Sequence, residues 1–159
     1  MIRRFAAVSL LLALLPACAS QPAAPSPMRV LEVKASLDSL CTRYAFAADA
    51  HDAGGFELLF GDDATLSLSG EPTVKGRTAI GESLGKHYSG IDATGYRVDG
   101  QFLNVLGNTA FQSGAFEEAY TEGGVERTRY GRFALYAEQS ASKEWRIRNL
   151  TAIADSVRP

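Results

Sequence analysis

His87 is the residue of this chain whose type best suits chemistry, because a neutral imidazole lining a pocket can act as a base near pH 7. Against that stands the commoner role of a histidine near a helix end, as a surface or capping group. Asp62-Asp63 has the look of a paired carboxylate, but aspartate is favoured where a helix ends and a strand begins, so the pair reads as a turn. Asp49, His51 and Asp52 suggest metal ligands. Residues share a helix face at spacings of three or four, so Asp49 and Asp52 converge only if the helix runs past Ala50. Gly54-Gly55 argue for a loop there, and one histidine without a distant partner is a poor zinc set. No metal and no cofactor is expected. Cys41 falls on the apolar face of a predicted helix, with no nucleophile pattern around it, and reads as a small buried hydrophobe.

The chain that must position these groups has 159 residues, 46% apolar and 21% charged, which excludes disorder, collagen and coiled coil. Sixteen Lys+Arg against 18 Asp+Glu leave a net charge of −2 with no basic patch, so a nucleic-acid partner has no electrostatic support.

The N-terminus reads as an address. Arg3 and Arg4 precede an apolar run, Phe5 to Leu15, that is too short to span a bilayer as a helix, which needs about 20 residues. A charged start, a short apolar run and small residues describe a secretory signal peptide. Leu15-Pro16-Ala17-Cys18 resembles the lipobox of bacterial lipoproteins, which implies a signal peptide over 1–17 and a lipidated Cys18 as the first mature residue. Ordinary cleavage at Ala17-Cys18-Ala19 is the competing reading. Ala19 after the cysteine implies sorting to the outer membrane, facing the periplasm. Residues 18–28, rich in Pro, Ala and Ser, read as an extended tether.

The folded domain is expected over 29–159. Apolar residues Val30, Val33, Leu37, Leu40, Cys41, Tyr44, Ala47 and Ala48 recur at steps of three and four, predicting an amphipathic helix to about Ala50. A short second helix is expected to carry Phe56, Leu59 and Phe60, followed by a strand over 64–68. Thr78 is expected to cap a third helix that buries Ile80, Leu84 and either His87 or Tyr88. Strands follow at 96–106, 109–120, 125–137 and 144–153, with bends at Gly100 and Gly114, a hairpin at Gly107-Asn108 and a loose tail from Ala154. In the last strand, Trp145, Ile147 and Asn149 are expected to share one face. Helices on one face of an antiparallel sheet make an α+β architecture.

Tyr44-Ala45, Ala48-Asp49-Ala50-His51-Asp52, the run Leu58 to Leu66, Gly76-Arg77-Thr78-Ala79-Ile80 and Trp145-Arg146-Ile147, in this order and spacing, resemble the nuclear transport factor 2-like superfamily. The resemblance is to its SnoaL-like and ketosteroid-isomerase-like branch, over about 35–153. It implies a cone-shaped fold of three N-terminal helices on a strongly curved antiparallel sheet, with an apolar pocket and commonly a dimer. By the family pattern the pocket is lined by Tyr44, Phe60, Leu68, Arg129, Phe133, Leu135, Trp145 and Ile147. The isomerase needs a base carboxylate and two oxyanion donors. Tyr44 matches one donor. The base position falls near Leu68 and the second donor near Gly131, and neither neighbourhood holds an acid.

The expectation is therefore a membrane-anchored domain that binds a small apolar molecule or a protein partner, without a catalytic set; Tyr44 and His87 are the candidates for proton transfer. Alternatives are an isomerase, cyclase or dehydratase using them for proton transfer, and a non-catalytic dimeric module. The outer sheet face, with Tyr130, Arg132, Tyr136, Arg146 and Arg148, suits a homodimer interface, and its arginines are expected to pair with Glu117, Glu118 and Glu126. Cys18→Ser is expected to move the protein from the membrane to the soluble fraction; a variant that stays membrane-bound would remove the anchor.

Overall fold

The computed structural model describes residues 24–159. The signal segment, Cys18 and most of the tether lie outside the described residues. The end of the tether already belongs to a helix, α1 (Pro27–Asp49), whose N-cap Ser26 accepts from the Arg29 N–H at 3.2 Å. Pro27 fits the first turn because the N–H it lacks has no partner inside the helix. α1 buries Val33, Leu37, Leu40, Tyr44, Ala47 and Ala48, while Cys41 is only partly buried beside that stripe. Desolvation still pushes its thiol up to about 11.

The second helix is shorter than expected. α2 (Ala53–Glu57) ends before Phe60, and β1 (Phe60–Leu68) takes in the Gly61-Asp62-Asp63 run read as a turn. The reason lies far along the chain. Phe60 pairs with Ile147, Asp62 meets Arg77, and Asp63 accepts from Arg148 at 2.7 Å, so the two carboxylates project from a strand with cations waiting. β2 (Val74–Lys75) is a two-residue strand the sequence did not announce. α3 (Arg77–Tyr88) is capped by Gly76 at φ 89, not by Thr78, whose hydroxyl instead meets Glu57 at 3.4 Å. Within α3, Tyr88 is the buried member of the His87–Tyr88 pair.

β3 (Asp92–Leu106), β4 (Thr109–Glu122), β5 (Val125–Gln139) and β6 (Trp145–Arg158) form the antiparallel meander. The supposed tail continues β6, because residues 154–158 pair with Thr128–Gly131. The sheet order is β2-β1-β6-β5-β4-β3. β1 runs parallel to β6, so the sheet is mixed where an all-antiparallel one was expected.

Irregularities curve this sheet around α1. Gly100 faces Gly114, with Gln101 as an extra residue in β3, and a Cβ on Gly114 would fall 1.9 Å from the Asp99 carbonyl oxygen. A second bulge, at Arg148 in β6, reverses the alternation: Trp145 and Ile147 face the core, then Leu150 does, and Asn149 faces out against expectation. Gly131 leaves the space that the Phe116 ring fills; a Cβ there would lie 2.5 Å from that ring and 2.3 Å from the Ile153 carbonyl oxygen. Gly131→Ala is expected to lower the urea midpoint by an amount equivalent to about 1–3 kcal/mol. Gly90→Ala, which meets no atom within 4 Å, should be near neutral.

Candidate functional site

The inner face of the curved sheet and the helices form a cavity of about 270 Å3 that opens to solvent on one side. α1 contributes Tyr44, α3 contributes His87 and Tyr88, β4 Glu118 and β5 Arg129, and the turn after β1 brings Glu71 to the rim. Leu68, Ala152 and the Phe116 ring supply apolar wall.

Glu118 decides the character of this space. It lies directly opposite Arg129 across the β4–β5 ladder, and its carboxylate accepts from Arg129 Nη1 at 2.6 Å and from the Tyr88 hydroxyl at 2.7 Å. It is 2% exposed, so the expected surface pairing of Glu118 with outer arginines does not exist. Those arginines find other partners: Arg132 meets Asp155, Arg146 meets Glu144 and Arg148 meets Asp63. The alternation of β4 carried the signal, since Phe116, Glu118 and Tyr120 share one face and all are buried. Reading the three glutamates together as surface groups hid it. The hollow that was expected to lack acidic groups therefore holds Glu118 in its wall, besides Glu71 at its rim.

A chain of polar contacts runs along the wall. The Tyr44 and Tyr88 hydroxyl oxygens are 3.5 Å apart. Tyr88 gives its single proton to Glu118, so in the contact between the two hydroxyls Tyr44 is the donor. Arg129 also donates to His87 Nε2 at 3.3 Å, and His87 Nδ1 meets Glu71 at 3.2 Å. A guanidinium can only donate, so Nε2 must accept and the ring hydrogen sits on Nδ1, donated to Glu71. Burial opposes the Arg129 charge, but Glu118 and Tyr120 outweigh it and its pKa is raised.

The expected lining divides in two. Tyr44, Leu68 and Arg129 line the cavity. Phe60, Phe133, Leu135, Trp145 and Ile147 are buried in the core and do not line it. Trp145 sits under Arg29 in the first turn of α1, with the guanidinium 5.8 Å from its ring centroid. Tyr44 is 15 residues further along that helix, about 22 Å at 1.5 Å per residue. The position near Gly131, where the isomerase pattern wants a second acid, has its space filled by Phe116. Asp49, His51 and Asp52 do not converge: His51 turns to Asp92 at 4.0 Å, and no metal-binding cluster occurs among the described residues.

A family model described as the SnoaL-like domain matches residues 29–151. The chain belongs to the SnoaL-like family. Solved structures agree on the fold of this SnoaL-like domain. A ketosteroid isomerase-like protein from Erwinia carotovora atroseptica is 18% identical, with 77% of this chain and 95% of that one covered at a TM-score of 0.66. An NTF2-like protein with a cystatin-like fold from Novosphingobium aromaticivorans is 20% identical, with 81% and 86% covered at 0.68. A protein from the same bacterium, provisionally assigned as a scytalone dehydratase, is 12% identical, with 80% and 87% covered at 0.68. No curated protein matches the chain.

Desolvation raises the pKa of Tyr44, Tyr88 and Tyr96 well above that of free tyrosine, and Glu118 adds to all three. In this SnoaL-like pocket they stay protonated, and therefore donors, across the working pH range. A folded pKa above the unfolded one stabilises the fold below about pH 10, and that contribution is lost as pH rises further. Tyrosinate absorbance should show three of the chain's six tyrosines ionising only together with loss of near-UV circular dichroism. Ionisation of all six before unfolding would contradict the burial described here.

Proposed function

We propose that this SnoaL-like domain is an acid–base enzyme, of isomerase or dehydratase type, acting on a small, largely apolar molecule that carries a carbonyl oxygen. The observation supporting this reading is the continuous polar chain Glu71–His87–Arg129–Glu118–Tyr88–Tyr44 along the wall of an apolar cavity. A buried ion pair is a poor device for stability, because desolvating both charges offsets most of their attraction. Glu118 and Arg129 make better sense as a preorganised wall that holds the groups on either side of it.

In this reading His87 Nε2 takes a proton from the carbon beside the carbonyl, with Glu71 on Nδ1 stabilising the imidazolium that results. Tyr44 donates to the carbonyl oxygen as it gains negative charge. Arg129 Nη1 must leave Nε2 for this to happen, and it retains Glu118 when it does. His87 then returns the proton to a second carbon in an isomerisation, or to a departing hydroxyl in a dehydration. The bases differ from the ketosteroid-isomerase pattern, since Leu68 stands where that pattern has its carboxylate.

The proposal places the domain in the cell envelope, tethered through a lipidated Cys18 and facing the periplasm. Pairing of two copies through the outer sheet face belongs to it as well. Phe111 pairs with Tyr136 across β4–β5 and packs edge-on against Phe102 with centroids 6.1 Å apart, and all three are exposed. Native mass spectrometry reads both the copy number and any co-purifying small molecule.

His87→Gln should reduce turnover of a substrate of this class by 100-fold or more, the usual scale of a lost general base. Tyr44→Phe should cost about 10–100-fold, with the fold unchanged by circular dichroism. A co-purified molecule that both variants bind as tightly as the natural chain, with no conversion by any of the three, would establish a binding protein instead.

A further inference from the structure

A second cavity of about 250 Å3 lies between α1 and β3, and Tyr96 alone, among the described residues, lines both it and the first. Its floor is made of small residues, Ala45 and Ala48 from α1 and Ala93 and Gly95 from β3, with Phe46 standing 69% exposed at its side. The polar wall described above does not reach it.

Tyr96 is built as a partition. Its ring stacks on Phe116 at 15° and 6.2 Å, and lies 5.6 Å from Tyr44. No other described residue hydrogen-bonds its hydroxyl, although Tyr44 and Tyr88 beside it are joined to the Glu118 network. It follows directly on an irregularity in β3, where Thr94 is an extra residue between Ala93 and Gly95 in the pairing with β4. β3 is the edge strand, bonded only to β4, so a shift of this segment breaks no second ladder.

Resting on the reading of the first cavity as the ligand site, we infer that the ligand has two parts: an oxygen-bearing head among Tyr44, His87 and Arg129, and an unbranched apolar tail that passes Tyr96 into the α1–β3 groove. Two cavities sharing one wall residue match such a shape: one carries the Glu118–Arg129 wall, and the other is floored by alanine and glycine with Thr42, Asp49 and Thr94 at its edges. The head is not an anion, because Glu71 and Glu118 face the first cavity against the single permanent cation Arg129.

Straight-chain 2-alkanones of five to eleven carbons are suitable probes. They can be titrated by NMR into the full chain carrying Cys18→Ser, so that no detergent is present. Affinity should climb with length, about fourfold per methylene until the groove is full. Long ketones should shift the Ala45 and Ala93 methyl resonances, and 2-pentanone should not. Ala45→Leu, which fills the groove, should flatten the climb and leave 2-pentanone unaffected. Tyr44→Phe should weaken all lengths alike. Affinity independent of length, or a climb that survives Ala45→Leu, overturns the tail site while the head site stands. Failure of every ketone to bind removes the head site and the tail site with it.

Discussion

Glu118, buried, and Arg129, partly exposed, face each other across two neighbouring strands, and the polar wall of the cavity is arranged around that pair. A lone carboxylate at 2% exposure would be strongly unfavourable, and the guanidinium at 2.6 Å is what makes it tolerable. Tyr88 satisfies the second carboxylate oxygen, and the Tyr120 ring lies under the guanidinium at 4.9 Å. The pair thus demands particular neighbours, and those neighbours arrive from two elements, α3 and β4. Removing Arg129 leaves the Glu118 charge buried with only the Tyr88 hydroxyl to meet it, which makes this constraint more severe than any single apolar contact.

Sheet curvature serves the pair. A flat sheet would leave Glu118 and Arg129 open to solvent on one face. The bulge at Gln101, enabled by Gly100 and Gly114, and the irregularity opposite Tyr130–Gly131 bend the strands so that this face closes over the helices. The parallel docking of β1 on β6 then carries Leu68 and the turn bearing Glu71 to the rim, where Glu71 reaches His87. The geometry of the wall therefore follows from where glycines and extra residues sit in the strands.

Much of the fold is legible in the chain. The helical stripe of α1, the hairpin at Gly107-Asn108, the bends at Gly100 and Gly114 and the four meander strands all rest on local periodicity and on glycine, which act over a few residues. The failures share a cause. Asp62-Asp63 looks like a turn until Arg77 and Arg148 are placed beside it, and the last five residues of β6 look like a tail until β5 is there to pair with them. Asn149 is misplaced because one extra residue, Arg148, reverses the alternation of its strand. Each depends on a partner distant in sequence.

The same division runs through the site. Local sequence alone determined that Tyr44 lies on the buried stripe of its helix and that residues 125–137 alternate between two faces, because periodicity is a property of the backbone and needs no partner; that Arg129 and Phe133 face in was implied by the family resemblance. Only the tertiary structure decided that Glu118 is an interior acid, that His87 presents Nε2 and not Nδ1 to Arg129, and that Trp145 and Ile147 pack far from the cavity. Those outcomes are set by which strands lie side by side and in what register. Register is a sum of many weak contacts between distant residues, so no short stretch of the chain contains it.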